Sequence, residues 1–356
     1  MIIQSKNIKV VEVGRSRLDE VDFNNLPFGK HFADYMFEMD FANGEWQQPT
    51  IVPFGNMSLH PATSALHYGQ AIFEGLKATR NSDNEILVFR PDMNIKRFNE
   101  SAERMCMQPV PEDVFMEGLK MLLDKNRAWV PQGDGQSLYI RPFMIATDEY
   151  VGIKASDSYK FLIICSPVGV YYSEPVKVKI ETKYTRAAEG GVGRAKAAGN
   201  YASSLYPAKK GLEEGYRQLI WTDAKTHTYI EEAGTMNVVF VINDVIITPS
   251  EDKDTILKGI TKRSVLQVAK DWGYQVEERA VTIKEIIEAI NNGTLQDAFG
   301  AGTAATIAPI SAIGFEGKDY ELPTIESRIF SNKVGKHISN YKLGLVEDKF
   351  NWLVRI

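Results

Sequence analysis

Apolar and polar side chains alternate along residues 35–41, and the turn-forming pair Asn43 and Gly44 follows directly. Alternation is typical of a half-buried β-strand, and Asn-Gly supplies the positive φ angles that a tight hairpin needs. We therefore predict a hairpin at this position. A second hairpin is predicted from strands at 76–80 and 85–90, which a short polar turn joins.

Apolar residues spaced three and four apart predict two helices in the first half of the chain. The first helix opens at Pro91, and Arg97 lies beside its apolar face. The second covers residues 112–124, and strands are predicted at 137–145 and 159–165. Two to three strands with two helices indicate a small α+β domain.

The second half of the chain begins with a predicted strand at 176–182, and a helix is predicted at 201–214. Thr261 is predicted to cap another helix through its side chain. Residues 282–285 read Thr-Ile-Lys-Glu, which is a capping box and marks the start of a further helix. Residues 299–310 are rich in small side chains and are predicted to form a loop followed by a strand.

The strongest linker signal lies at residues 169–175, which begin with glycine and end with proline. We therefore predict a small N-terminal α+β domain over residues 1–168, with an N-terminal arm. Residues 169–175 form the predicted interdomain linker, and residues 176–356 form a larger C-terminal domain.

Composition narrows the class of protein. The chain has 356 residues, of which 44% are hydrophobic and 24% charged, as in a two-domain globular protein. The net charge of -5 argues against a nucleic-acid partner. Residues 1–6 carry no signal-peptide core and no apolar run reaches membrane-spanning length, so we expect a cytoplasmic protein without membrane contact.

Neither the cysteines nor the histidines of the sequence indicate a disulfide or a metal site. Cys106 and Cys165 form no Cys-x-x-Cys motif, which fits a reducing compartment. The five histidines show no metal-ligand spacing, so no metal site is expected.

The stretch 190–201 surrounds Lys196 with glycine and alanine, and Tyr201 follows five residues later. Glycine allows close approach of the backbone, and a deprotonated lysine among small groups can form an imine with an aldehyde cofactor. A mobile loop with a solvated lysine is an equally good interpretation of this stretch alone. A dinucleotide or P-loop motif is excluded, because neither G-x-G-x-x-G nor a Ser or Thr after Lys196 is present.

A second stretch places Glu231 and Glu232 before the small residues 233–235. A carboxylate there can pair with a protonated pyridine nitrogen and keep the ring an electron sink. Adjacent strand residues point to opposite faces, so only one of the two glutamates is expected to face inward. Taken alone, a solvated acidic pair before a strand is the plainer interpretation.

Three further features suit an anionic phosphate. The stretch 259–261 lies at a predicted helix start, where N–H groups and the helix dipole attract anions. Residues 300–305 combine two glycines with small side chains, so backbone N–H groups can reach an anion. Arg97 could supply the opposite charge. Taken singly, the stretch 259–261 is also explained as an ordinary N-cap, residues 300–305 as a tight strand entry, and Arg97 as part of a solvated helix face.

In order and spacing, these residues resemble the class IV, or D-amino acid aminotransferase-like, pyridoxal-phosphate enzymes, and most closely the branched-chain amino acid aminotransferases. The matching motifs are Phe28-Gly-Lys30, Leu66-His-Tyr-Gly69, Phe73-Glu-Gly75, Phe89-Arg-Pro91, Leu138-Tyr-Ile-Arg-Pro142, Lys196 with Gly199-Asn-Tyr201, Glu232-Ala-Gly-Thr-Met-Asn237, Gly259-Ile-Thr261 and Gly302-Thr-Ala304. Some relatives carry Cys-x-x-Cys after the last motif. This chain has Ala305 and Ala308 there, so thiol-based redox control is not expected.

The resemblance implies a mixed αβ fold of two domains, namely the small α+β domain and a larger pseudo-barrel domain that binds the cofactor. It also implies a homodimer. Lys196 should hold pyridoxal 5′-phosphate as an imine and shuttle a proton between the substrate α-carbon and the cofactor. Tyr201 should hydrogen-bond the phenolate oxygen of the cofactor, and Glu232 should pair with the pyridine nitrogen.

The remaining implied residues contact the phosphate or the substrate. The phosphate should be held by Arg97, Ile260, Thr261 and Thr303. The α-carboxylate should meet Tyr139, Thr303 and Ala304, and an apolar side-chain pocket should be lined by Phe28, Tyr68 and Phe73. The partner subunit should contribute Val151 and Ile153. Arg141 lies two residues from Tyr139 on a predicted strand, and we expect it to pair with the distal carboxylate of glutamate.

The leading hypothesis is an enzyme that moves amino groups between leucine, isoleucine or valine and 2-oxoglutarate. A D-amino-acid aminotransferase of the same fold is the nearest alternative, and rates with L-leucine and D-alanine would separate the two. A protein that binds pyridoxal phosphate without turnover is the alternative from another class.

Overall fold

The computed structural model describes residues 8–171 and 174–356. Part of the predicted arm (residues 1–7) and of the predicted linker (residues 172–173) therefore lies outside the described residues. Two units are present. Unit 1 contains the described residues of Met1–Tyr171 together with Ala195–Gly199 and Tyr341–Ile356. Unit 2 contains the described residues of Tyr172–Arg194 and Asn200–Asn340.

The first half of the described chain alternates short strands with three helices. In order these are β1 (Lys9–Val10), β2 (Tyr35–Ala42), β3 (Glu45–Trp46), β4 (Thr50–Pro53), α1 (Ser64–Tyr68), β5 (Ala71–Phe73), β6 (Leu76–Arg80), β7 (Ile86–Phe89), α2 (Pro91–Arg104), α3 (Glu112–Lys125), β8 (Ser137–Ala146) and β9 (Tyr159–Val168).

The second half adds four helices, the strands of a second sheet and one last strand that belongs to the first sheet. In order these are β10 (Val176–Glu181), α4 (Ala198–Glu213), β11 (Gln218–Thr222), β12 (Tyr229–Ala233), β13 (Asn237–Ile242), β14 (Val245–Pro249), α5 (Ile260–Asp271), β15 (Val276–Arg279), β16 (Val281–Thr282), α6 (Ile283–Asn291), β17 (Leu295–Gly302), β18 (Thr306–Phe315), β19 (Lys318–Glu321), α7 (Phe330–Lys342) and β20 (Leu353–Arg355).

The sheet of unit 1 has the order β1-β4-β2-β9-β8-β6-β7-β20, with β3 paired to β2 and β5 to β8. Rings from α2 and α3 pack on one face, where Phe98 and Phe115 lie 5.3 and 6.3 Å from Phe161. Phe161 pairs with Met144, an even-numbered residue of β8. The odd-numbered residues of β8 therefore face the opposite side of the sheet. This opposite face carries the predicted substrate residues of β8.

The sheet of unit 2 has the order β15-β14-β13-β17-β18-β10-β11-β12-β16, with β19 paired to β18. It is mixed, because β10 runs parallel to both β11 and β18 while β13 and β17 are antiparallel. Its core is mostly aliphatic and includes Val178, Val238 and Ile310 together with Phe240, each fully buried. Burial on both faces explains the nearly continuous apolar strands β11, β13 and β14.

Thr261 does not cap α5, contrary to the prediction. The helix begins at Ile260, the N-cap is Gly259, and the described contacts include no side-chain cap bond. A Cβ atom on Gly259 would lie 1.7 Å from Asn237 Oδ1, so only glycine fits at this N-cap. Residues 299–310 also differ from the prediction, because they belong to the antiparallel hairpin of β17 and β18.

Two segments of the predicted C-terminal domain belong to unit 1 in the structure. Residues 341–356 do so because β20 pairs with β7, and residues 195–199 because Ala197 forms a bridge with Ile72. Among the helices described here, none combines the length and the apolar character that crossing a membrane requires.

Candidate active site

The main chain of Lys196 is fixed on two sides within unit 1. Its N–H donates to Ser101 Oγ at 2.9 Å, and its carbonyl accepts the N–H of Phe73 at 3.0 Å. The next residue, Ala197, bridges to Ile72 of β5. The lysine segment is thus docked between strand β5 and helix α2, with its polar backbone groups paired. The side-chain Nζ lies 4.8 Å from the centroid of the Phe73 ring.

A completely buried carboxylate, Glu74, balances the positive charges in this part of unit 1. Its oxygens accept hydrogen bonds from Arg97 Nε at 2.7 Å and Nη2 at 2.8 Å, and from Asn94 Nδ2 at 2.6 Å. Burial raises the pKa of Glu74, but the charge and hydrogen bonds of Arg97, with the charge of Lys196, outweigh burial and lower this pKa below its ordinary value. Glu74 is therefore ionised at neutral pH.

The structure brings Phe28, Phe73, Tyr139 and Arg141 together. Arg141 Nη2 donates to the Tyr139 hydroxyl at 2.9 Å, and its guanidinium carbon lies 4.6 Å from the centroid of the Phe73 ring. The rings of Phe28 and Tyr139 meet edge to face at 4.9 Å. Gly75 makes room for this arrangement, since a Cβ atom there would lie 2.2 Å from the Tyr139 hydroxyl. The result is an aromatic surface on which the charged groups of Arg141 and Lys196 both lie over the Phe73 ring.

The other predicted substrate residues of unit 1 are exposed, as Phe28 is (40%). Tyr68 is 43% exposed, Val151 65% and Ile153 92%.

Glu232, the predicted partner of a pyridine nitrogen, is buried on β12 of unit 2 and forms an ion pair with Arg186. Only 6% of the Glu232 side chain and 8% of the Arg186 side chain are exposed. Arg186 Nη2 also donates to the carbonyls of Gly193 at 2.9 Å and Thr255 at 2.7 Å. Asn237 Nδ2 makes a longer contact of 3.4 Å with Glu232 Oε2.

Glu231 is buried as well, which contradicts the expectation that only one of the two glutamates faces inward. Residues 230–233 are all buried, so both faces of β12 are covered. Burial raises the pKa of Glu231, although a hydrogen bond with Thr255 and the charge of Arg186 act in the opposite direction. The two neighbours therefore differ in surroundings rather than in exposure: only Glu232 has a described ion pair.

The predicted phosphate residues of unit 2 lie at a helix start and in a turn. Ile260 and Thr261 are buried in the first turn of α5, directly after Gly259. The first-turn N–H groups of a helix have no intrahelical partner and suit an anion. Thr303 and Ala304 form the turn between β17 and β18, beside the start of β13, since Ala301 pairs with Asn237.

Tyr201 lies in the first turn of α4 and is half-buried. The preceding Asn200 donates through Nδ2 to the carbonyl of Val192 at 2.9 Å. This bond ties the start of α4 to the glycine-rich stretch 190–193. The cysteines take no described part in these clusters: Cys106 is exposed and Cys165 is buried, and both are free thiols. In the described ranges, no group of three or more His, Cys, Asp or Glu residues could hold a metal ion.

Sequence reasoning does not identify Glu74, Ser101 or Arg186. The partner of Glu74 lies 23 residues further along the chain, and the serine meets a backbone group 95 residues away. Local periodicity carries no information about such contacts. The matching motif Phe73-Glu-Gly75 contains Glu74 but does not indicate its ionic partner.

The fold and these clusters define a class of protein, and comparison with known families identifies it. The model of the amino-transferase class IV family matches residues 71–313. The chain belongs to the class IV aminotransferases and, within them, to the branched-chain amino acid aminotransferases, as its relatives indicate.

Two relatives illustrate this similarity. Branched-chain-amino-acid transaminase 1 of Bacillus subtilis is 44% identical over 343 residues, which cover 95% of this chain and 96% of the relative. A probable branched-chain-amino-acid aminotransferase of Staphylococcus aureus is 44% identical over 349 residues, with 97% of each chain covered.

Solved structures support the same fold. The branched-chain amino acid aminotransferase of Escherichia coli superposes with a TM-score of 0.72 at 26% identity, covering 90% of this chain and 98% of that one. The branched-chain aminotransferase of Thermoproteus uzoniensis with norvaline gives a TM-score of 0.76 at 24% identity, covering 90% and 99%. The predicted two-domain mixed αβ fold of this family is thus confirmed.

Proposed function

We propose that this protein transfers amino groups between L-leucine, L-isoleucine or L-valine and 2-oxoglutarate, with pyridoxal 5′-phosphate as its cofactor. The names of the relatives in B. subtilis and S. aureus support this activity. The structural observation that carries the proposal is the docked segment of Lys196, whose main chain is held by Ser101 and Phe73. A lysine placed this firmly suits a covalent role.

The donor groups of the chain fit pyridoxal phosphate. Glu232 is a buried carboxylate of the kind that a protonated pyridine nitrogen can meet. The start of α5 has no described side-chain cap, and its N–H groups suit a phosphate. Lys196 supplies the amine for an aldehyde. When bound, pyridoxal phosphate supplies an electron sink that stabilises negative charge at the substrate α-carbon.

Each residue has a defined task in this proposal. Lys196 Nζ would hold the cofactor aldehyde and would carry the proton between the substrate α-carbon and the cofactor C4′. Tyr201 hydrogen-bonds the phenolate oxygen. Arg97 attracts the phosphate, sharing its guanidinium with Glu74, which already contacts Nε and Nη2. The phosphate also meets Ile260, Thr261 and Thr303, largely through backbone N–H groups.

The substrate residues divide between the α-carboxylate and the side chain. We assign Tyr139, Thr303 and Ala304 to the α-carboxylate. Phe28, Tyr68 and Phe73 face the branched side chain, which gains from contact with apolar rings. Arg141 is assigned to the distal carboxylate of glutamate, because a second charge would be costly on a purely apolar surface.

The test is an absorption spectrum of the protein with bound pyridoxal phosphate, taken before and after L-leucine is added. We expect L-leucine to convert the cofactor to its amine form and 2-oxoglutarate to restore the first spectrum. D-alanine should leave the spectrum unchanged. Conversion by D-alanine alone would favour a D-amino-acid aminotransferase, and no conversion by any amino acid would favour a binding protein without turnover.

A second measurement tests the lysine itself. Borohydride reduction should attach the cofactor to Lys196, and Lys196→Ala should fold but neither form the covalent bond nor transfer amino groups. Labelling of a different lysine would overturn the assignment.

We also propose a cytoplasmic homodimer in which the exposed apolar side chains of Val151 and Ile153 are covered by the partner. Exposed apolar residues near a binding surface are typical of interfaces. Ile153→Asp should weaken the dimer in light-scattering measurements and lower activity, whereas Leu345→Asp, at another exposed apolar position (61% exposed), should change neither. A monomeric wild-type protein would contradict this proposal.

A further inference from the structure

Arg186 lies at the centre of three contacts within unit 2. It pairs with the Glu232 carboxylate and donates from Nη2 to the carbonyls of Gly193 and Thr255. These carbonyls come from the glycine-rich stretch and from the segment before α5. Gly193 makes the close approach possible, since a Cβ atom there would lie 2.5 Å from the Thr255 carbonyl oxygen. The guanidinium is therefore held by the backbone and has a fixed orientation.

The two adjacent buried glutamates of β12 differ in their charge partners. Glu232 forms the ion pair with Arg186, whereas Glu231 has no described ion pair and is influenced by the charges of Arg186, Asp223 and Lys253. Burying a carboxylate without a compensating charge is costly, and such a group takes up a proton instead. Glu231 illustrates this effect, because burial raises its pKa even though the charge of Arg186 opposes the change.

The ion pair also orients the carboxylate. Oε1 of Glu232 contacts the guanidinium, whereas Oε2 is the oxygen that Asn237 approaches at 3.4 Å. The described contact runs through Nη2 alone, which also bonds the two backbone carbonyls, so the arginine fixes the position of Oε1. Oε1 is thus committed to Arg186, and Oε2 is the oxygen that can turn to a bound ring.

We propose that Arg186 is a positioning residue for the cofactor: it keeps Glu232 ionised before the cofactor arrives and leaves Oε2 as the oxygen for the pyridine nitrogen. This inference rests on the proposed function, because it assumes that Glu232 meets that nitrogen. In the absence of Arg186, Glu232 would hold a proton in the cofactor-free protein and would have to release it when the protonated ring binds.

The test counts the protons exchanged when pyridoxal phosphate binds, by titration calorimetry at pH 7 in buffers of different ionisation enthalpy. Arg186→Gln keeps an amide donor but removes the charge. It should release about one more proton than the wild type, because Glu232 is then protonated before binding. The matched control is Arg194→Gln, which removes a partly exposed arginine paired with Asp254 and should give the wild-type count. Arg186→Lys should restore the wild-type count.

A second measurement does not depend on the folding of the Arg186 variants. Infrared spectra of the cofactor-free wild type and of Glu232→Gln are compared at neutral pH. If Glu232 is ionised, the two spectra should have the same protonated-carboxyl bands, because Glu232 contributes none. A protonated-carboxyl band present only in the wild type would overturn the inference, and so would equal proton counts in the wild type and Arg186→Gln. Failure of the proposed function is read separately, because the spectral test with L-leucine then fails while the calorimeter still counts protons, and a wild type that binds no pyridoxal phosphate removes the premise of both.

Discussion

The hydroxyl oxygen of Ser101 accepts the main-chain N–H of Lys196 at 2.9 Å. The same hydroxyl donates to the carbonyl of Arg97 one helical turn earlier, also at 2.9 Å. One serine side chain, 1% exposed as a residue, therefore joins the predicted imine lysine to the helix that carries the predicted phosphate arginine. All three residues belong to unit 1, so this link is internal to one folded body.

Replacing Ser101 should therefore damage both stability and the placement of the lysine. Ser101→Ala leaves the N–H of Lys196 without its acceptor, at a cost of about 1–3 kcal/mol. We expect a lower free energy of unfolding in urea and a smaller fraction of covalently bound pyridoxal phosphate by absorbance. Ser203→Ala, which removes an exposed hydroxyl bonded to the carbonyl of Asn200, should change neither. Wild-type cofactor binding by Ser101→Ala would contradict the positioning role.

The two buried glutamates of β12 should respond differently to neutralisation. Glu232→Gln removes the partner of buried Arg186, at a cost of about 3–5 kcal/mol, and also removes the charge proposed to stabilise the protonated ring. Glu231→Gln should be mild or slightly stabilising above neutral pH, because burial already raises the pKa of this side chain. Single-turnover rates with L-leucine and urea unfolding of both variants check this ranking. A slower Glu231 variant would reverse the assignment.

Sequence patterns predict those turns and helix starts that depend on contacts between residues close together in the chain. The Asn43 and Gly44 turn has φ angles of 56° and 79°, as a tight hairpin requires, and the Thr282 side chain accepts the Glu285 N–H at 3.0 Å. Both features are confirmed because they depend on residues at most three positions apart. The helix bounds of α2 and α3 follow for the same reason.

Features that depend on residues far apart in the chain cannot be predicted from such sequence patterns. The sheet of unit 1 has ten strands, more than the two or three counted for the small domain, and β1, β4 and β20, which have two to four residues each, are not predicted at all. Alternation is not detectable over so few positions. The burial of Glu231 is unpredictable for a related reason, because it depends on what covers the second face of β12.

The residues of the predicted site fall into the same two groups, those that sequence motifs name and those that depend on distant contacts. The order of the motifs identifies the family, and it therefore names Lys196, Glu232 and Arg141. The residues that contact the backbone or side chains of these positions, such as Ser101 and Arg186, have partners far along the chain. Those contacts became visible only when the fold was known.

Arg141 should matter more for glutamate than for leucine. Its guanidinium contacts the Tyr139 hydroxyl and the face of Phe73, so it can meet a distal carboxylate while the rings contact a branched side chain. Arg141→Ala should slow the half-reaction with glutamate by roughly 100-fold and that with leucine only a few-fold, because a carboxylate would lose its counter-charge. Single-turnover spectra with each amino acid measure both rates, and Tyr139→Phe tests the hydroxyl contact separately. Equal losses in Arg141→Ala would indicate a structural role or a role at the α-carboxylate.

Stability should rise with pH above neutrality because of two lysines in unit 1, the buried Lys342 and the half-buried Lys77. Burial, and secondarily the charge of Lys77, lowers the pKa of Lys342 from 10.5 to about 7, and burial lowers that of Lys77 to about 8. Between about pH 8 and 10 the unfolded chain keeps both protons and the folded protein has released them. Each lysine therefore raises the free energy of unfolding by about 1.4 kcal/mol per pH unit in this range.

Lys342→Met should remove the contribution of one lysine to this pH dependence. It should also raise the free energy of unfolding at pH 7, because it relieves the burial of a charge beside the Phe89 ring. Urea titrations at several pH values check both effects, with Lys336→Met, on the exposed side of α7, as the matched control. If Lys342→Met and Lys336→Met show the same pH dependence as the wild type, the proton of Lys342 is not lost on folding and this explanation fails.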